Sequence, residues 1–217
     1  MAKKPTGNEG SNRIEIREDG SAELSFDRVS LGEDKAEIER NIMVRFITAM
    51  KASGAAFKWA QNAEYDLDFT LTFEDGTLVD MDLTELILPS PKGTPFSQPN
   101  RSRTFGMVAD TIEDIVRRKD AHYSPSGRPK HLLVYTTHWP FMPTWQVLRL
   151  VQAAFLRAPP NALENVFFLY NVGEGDSPVP LYPAVPELVA TFDAEGARDL
   201  EFVRFDPALA TLAASSG

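Results

Sequence analysis

The sequence predicts an α/β protein, a mixed central β-sheet flanked by helices. Three observations carry that expectation. The stretch 66–85, DLDFTLTFEDGTLVDMDLTE, alternates apolar and polar residues at period two. The runs HLLVYTT at 131–137 and NVFFLY at 165–170 are almost wholly apolar, as strands buried on both faces are. Three further stretches repeat apolar residues at helical spacing.

In chain order, 1–12 reads as a disordered arm, with two lysines but no apolar core behind them that would make a secretory signal. A small hairpin is expected over 13–17 and 22–26, around Glu18-Asp19-Gly20. A helix follows from about Glu33 to Ser53, with Ile38, Ile42, Met43, Phe46, Ile47 and Met50 as its apolar stripe and Gly54 ending it. Residues 55–60 suggest a strand in which Phe57 and Trp59 alternate.

The 66–85 hairpin is the most specific pattern. A three-residue loop, Glu74-Asp75-Gly76, needs glycine at its left-handed position, and Gly76 stands there. This loop sets Phe73 opposite Thr77 and Asp68 opposite Asp82. Leu67, Phe69, Leu71, Phe73, Val79, Met81 and Leu83 then share one face. Asp66, Asp68, Thr70, Thr72, Asp80, Asp82 and Thr84 share the other with Leu78. A two-residue loop would put Asp82 among the apolar side chains, which the pattern rejects. Facing carboxylates repel, so water, a cation or a metal must compensate; a plain solvated face is the alternative.

Residues 89–103, PSPKGTPFSQPNRSR, hold four prolines and three basic residues and read as a loop. A helix is expected over about Thr104–Tyr123, with Arg117, Arg118 and Lys119 near its end, where cations suit the helix dipole. Another spans 144–157, its stripe including Trp145, and Pro159-Pro160 stop it. Residues 174–183 read as a Gly/Pro-rich loop, 186–192 as a short helix and 199–205 as a final edge strand, before a fraying tail at 208–217. One domain over 13–207 is expected.

Composition limits the function. The chain has 217 residues, 43% hydrophobic and 24% charged, and no apolar run that would span a membrane. It has no cysteine, which fits a reducing compartment, naturally the cytoplasm, and excludes thiolate metal sites. A net charge of −9 argues against broad binding to phosphate backbones but not against a local basic groove. No zinc spacing surrounds His122, His131 or His138, and no GxGxxG, P-loop or GxSxG occurs. Trp139, Phe141 and Trp145 cluster, as a cap on the core or a base-stacking platform. What remains is a set of carboxylates: Glu39 on a helix, and Asp68 and Asp82 on paired strands. Magnesium takes one or two carboxylates plus water, and can activate water and stabilise an attacked phosphate.

Glu39 in ERNIMVRFITAM, Asp68 in LDFTLTFEDGT, Asp82-Leu83-Thr84 in VDMDLTEL, and IVRRKDAHY followed by HLLVYTTHW resemble the PD-(D/E)XK, or restriction-endonuclease-like, superfamily over about residues 33–170. The resemblance implies a restriction-endonuclease-like core with an N-terminal hairpin and a C-terminal extension. It implies that Asp68 and Asp82 bind Mg2+ or Mn2+, with Glu39 as the helical Glu of some members. Leu67 stands where the family has proline, Asp82 where it more often has Glu, and Thr84 where it has the lysine that orients water. Lys119, on the following helix, is the candidate replacement.

Two readings follow. One is a metal-dependent nuclease on DNA or RNA, with a basic path formed by Lys92, Arg101, Arg103, Arg117, Arg118 and Lys119. The other is an inactive protein on the same fold that binds a protein partner.

Overall fold

A computed structural model of the chain describes residues 10–17, 19, 22–28, 31–32, 34–62, 67–88, 102–125, 127–172 and 175–203. In chain order the elements are β1 (Gly10–Ile16), β2 (Ala22–Arg28), α1 (Lys35–Ala52), β3 (Phe57–Gln61), β4 (Phe69–Phe73), β5 (Leu78–Glu85), β6 (Arg103–Thr104), α2 (Phe105–His122), β7 (Lys130–Tyr135), a 3-10 turn (Trp139–Phe141), α3 (Trp145–Arg157), β8 (Asn165–Val172), β9 (Gly175–Tyr182), α4 (Pro186–Ala190), α5 (Ala194–Arg198) and β10 (Glu201–Phe202). The fold is mixed α/β around a six-stranded sheet of order β3-β4-β5-β7-β8-β9. β3, β4 and β5 form an antiparallel meander; β5, β7 and β8 run parallel, and β9 returns antiparallel. No described helix is long and apolar enough to cross a membrane.

The long helices begin where the sequence supplies caps. Asp34 Oδ1 accepts from Glu37 N at 2.9 Å, Thr104 Oγ1 from Met107 N at 3.1 Å and Thr144 Oγ1 from Val147 N at 3.4 Å. Each such cap contributes about 1 kcal/mol. On one face of the sheet α1 buries Ile38, Ile42, Met43 and Phe46 against Phe69, Met81, Leu83 and Leu133. On the other, α2 and α3 bury Val108, Ile112, Val116, Leu148 and Phe155 against Leu132, Val134, Val166 and Phe168. Truncating one of these fully buried side chains to alanine costs about 2–5 kcal/mol.

The central hairpin has the expected register. Phe69 faces Met81 and Leu71 faces Val79, which puts Asp68 level with Asp82 one step beyond the ladder. Phe73 N donates to Thr77 O at 2.9 Å, and Gly76 has φ +85°.

Several expectations need correction. Residues 10–12, assigned to the arm, pair with 26–28, so the first hairpin is longer than its alternating residues suggested. Residues 175–182 are not a loop but an edge strand of the main sheet. Pro178 and Pro180 sit on its ladder opposite Leu169 and Phe167, tolerated because an edge strand need not donate on both sides. The period-two burial of Val179 and Leu181 is the signal that the prolines masked. Of the C-terminal strand expected over 199–205, Glu201–Phe202 is a strand among the described residues, and it pairs with Arg103–Thr104, outside the main sheet, while 204 and 205 lie outside the described residues. α5 had no counterpart in the sequence reading. Trp145, expected in the core, is 47% exposed and lies against Tyr170, ring centroids 5.1 Å apart. Asp66, most of the proline-rich loop with Lys92 and Arg101, and the tail lie outside the described residues.

Candidate active site

The polar face of the hairpin is not a plain solvated face. Asp82 is buried, because its strand neighbour in the parallel register is Leu132, on the face that α2 covers. Two side chains one helical turn apart on α2 and its cap reach down to it. Lys119 Nζ donates to Asp82 Oδ2 at 2.5 Å, and the Tyr123 hydroxyl donates to the same oxygen. The Leu83 amide donates to Asp82 Oδ1 at 3.0 Å and to Asp68 Oδ2 at 2.8 Å, so one N–H ties the two carboxyl groups together.

The end of α2 is bolted in place by its other side. Asp120 accepts from the amides of Asn161, Ala162 and Leu163 at 2.9, 2.8 and 3.0 Å. Arg117 donates to the carbonyls of Ala158 and Pro159 and pairs with Glu113 at 3.2 Å. With residues 117 and 120 holding the segment between α3 and β8, residues 119 and 123 are aimed at β5.

The electrostatics of the two aspartates diverge. Burial, then the hydrogen bond and the charge of Asp82, push Asp68 up to about 7. Burial opposes the ionisation of Asp82 as well, but hydrogen bonds from Asp68, Lys119 and Tyr123 outweigh it, and its pKa is lowered. Below about pH 7 the pair therefore shares a proton, carried by Asp68 and donated to Asp82. Burial and the bond to Asp82 raise the Tyr123 phenol, which stays protonated as a donor.

Glu39 is buried on α1 and pairs with Lys35 at 3.0 Å. It bears on Asp68 only as the smallest contribution to that group's raised pKa and makes no hydrogen bond to it. Lys35 is held charged first by Glu39, with Asp68 and Asp82 adding to the effect. Among the described residues no three His, Cys, Asp or Glu side chains converge to hold a metal. The pair thus offers two carboxylates and not a complete ligand shell. Two adjacent carboxyl groups whose mutual charge opposes full ionisation suit a divalent cation, and magnesium fills its remaining positions with water.

Thr84 lies two residues beyond Asp82 and borders a cleft of about 510 Å³. Lys119, Arg118 and His122 of α2 line the cleft, together with Glu85, Ile87 and Ile115. The cleft sits at the carboxyl end of β5, where open α/β sheets bind their ligands.

Of the described members of the expected basic path, two are engaged elsewhere. Arg103 is buried, donates to Pro140 O at 2.8 Å and lies 5.2 Å from the Phe141 ring centroid, so it is a core residue. Arg117 is likewise engaged, its guanidinium 5.2 Å from the Phe155 ring centroid. Arg118 and Lys119 alone of the described members reach the cleft. Sequence reasoning missed Tyr123, although its position four residues after Lys119 on the same helical face was legible. It also missed Glu85, which accepts from Thr137 Oγ1. His131 is half-buried, its pKa pushed down to about 4 by desolvation, and its Nε2 lies 2.7 Å from Asn165 Nδ2. Compared with models of known families, with curated proteins and with solved structures, the chain shows no match.

Proposed function

We propose that this chain is a divalent-metal-dependent hydrolase of phosphodiester bonds in DNA or RNA, on a restriction-endonuclease-like core. The observation that carries the reading is the contact of Lys119 with Asp82. The family's pattern lacks its lysine at Thr84, and a lysine from the next helix supplies an ammonium at the same carboxylate pair. The order of elements supports the reading too: a helix with a buried Glu, a meander carrying Asp68 and Asp82, a helix, then a buried strand parallel to the Asp82 strand.

Asp68 and Asp82 would hold Mg2+ or Mn2+, which supplies an activated water and stabilises charge on the attacked phosphate. Asp82 stays ionised because Lys119 and Tyr123 donate to it. Asp68 gives up its proton when a cation enters. Lys119 has a side chain 35% exposed towards the cleft, so its ammonium can turn from Asp82 to a phosphate oxygen as negative charge builds there. Thr84 adds a hydroxyl beside it.

The test is cleavage of single- and double-stranded DNA and RNA with Mg2+ or Mn2+. Wild type should cleave at least one substrate, and Lys119→Met should lose roughly 100-fold or more in rate, as when one preorganised donor is removed. A wild type that binds the metal but cleaves nothing, or a Lys119→Met variant that cleaves normally, would overturn this reading. The first outcome would leave an inactive, partner-binding protein on the same fold.

A further inference from the structure

We propose that the cleft between the end of β5 and α2 is a subsite for one nucleotide of a single-stranded nucleic acid, with Arg118 and His122 on its phosphate and Ile87 and Ile115 under its sugar and base. The inference rests on the reading of the carboxylate pair as a phosphodiester site, and names the form of substrate that site takes.

The last turns of α2 divide their work among three directions. Arg117 and Asp120 hold neighbouring backbone, and Lys119 and Tyr123 hold Asp82. Arg118 and His122, one turn apart, line the cleft beside Lys119 without engaging Asp82. Arg118 donates through Nε to the Asp114 carbonyl of its own helix at 3.2 Å. Among the described residues neither side chain has a carboxylate partner. In a chain of net charge −9, acids are plentiful, so the Arg118 guanidinium, left without a carboxylate partner and with the His122 ring as a second donor beside it, is suited to an anion from outside.

The floor of the cleft is apolar. Ile115 is 8% exposed, but Ile87 is 42% exposed, a branched aliphatic side chain open to water at the cleft. The one acid there, Glu85, is bonded by Thr137, and burial raises its pKa, which reduces its opposition to an anion. A ligand with a phosphate at one end and a flat, weakly polar body at the other matches this lining. The volume of about 510 Å³ lies in the range of small-ligand clefts. In a duplex the base faces are stacked away and only phosphates would reach Arg118, leaving Ile87 uncovered. An unpaired strand can cover both.

The test is fluorescence anisotropy of a short labelled oligonucleotide, single-stranded and as its duplex, with the metal chelated, over a range of salt. Wild type should bind the single strand several-fold more tightly than the duplex. Arg118→Gln with His122→Gln, both exposed positions, should weaken binding about tenfold at low salt and flatten the salt dependence by about one charge. Ile87→Asn should remove the preference for the single strand. Unchanged binding in the double variant, a preference for duplex, or no binding by wild type at low salt would overturn the subsite. The readout needs no metal, so absent cleavage with this binding pattern intact counts against hydrolysis alone. Cleavage with the pattern lost counts against the subsite alone.

Discussion

Asp80 and Asp82 stand on the same face of the same strand, two residues apart, yet one pairs at the surface and the other is buried beneath a helix end. The Asp80 side chain is 22% exposed and, among the described residues, pairs with Arg128 at 3.4 Å, whose own side chain is 52% exposed. The Asp82 side chain is 7% exposed and holds Lys119, Tyr123 and the Leu83 amide. Across the ladder Asp80 faces Thr70, whereas Asp82 is level with a second carboxylate, Asp68. Residue type is identical, so the difference lies in what α2 lays over the strand. A carboxylate under a helix end that donates to it is pre-organised; one beyond the helix is solvated.

The largest expected effect is on stability. Asp82→Ala removes the partner of Lys119 and Tyr123 and should cost about 3 kcal/mol in denaturant unfolding, as when one member of a buried pair is lost. The isosteric Asp82→Asn is the better probe of function, since it keeps the volume. In that variant the Asp68 pKa, followed by NMR titration, should fall yet stay above the ordinary carboxylate range, because burial is its larger cause.

The next effect is linked to pH. Asp68 is raised from 3.8 to about 7, so the folded state binds more protons than the unfolded state between those values. Its contribution to stability is full below about 4 and is lost as pH rises towards 7. Half-buried His131, lowered to about 4, acts in the opposite direction over part of that window. The clean measure is therefore a difference. With metal chelated, Asp68→Asn should match wild type near the acid end and exceed it by about 1–2 kcal/mol above neutrality, allowing for solvent screening of a half-buried group. A constant difference across pH would remove the shared-proton account. The smallest effect is Asp80→Asn, expected within about 0.5 kcal/mol of wild type in the same unfolding experiment.

The contrast also shows what a sequence can carry. Strand alternation and the loop glycine fixed the hairpin register, and with it the Asp68–Asp82 facing, because both are local signals. Apolar spacing placed all three long helices for the same reason. The burial of Asp82 was not legible, since its cover comes from side chains 37 and 41 positions later on another element. Arg103 read as a basic surface residue because its role depends on Pro140 and Phe141, equally distant in sequence. β9 was hidden by two prolines that only an edge position tolerates.

The central claim is that the facing aspartates, and not the neighbouring acid on the same strand, form a divalent-cation site. Calorimetric titration of Mn2+ at about pH 8, above the Asp68 pKa, tests it most directly, because metal binding must displace any proton the pair holds. One saturable site is predicted in wild type and in Asp80→Asn, lost in Asp68→Asn and in Asp82→Asn, and weaker in wild type as the pH is lowered below about 7. No binding by wild type, or binding that survives both Asp68→Asn and Asp82→Asn, would contradict it.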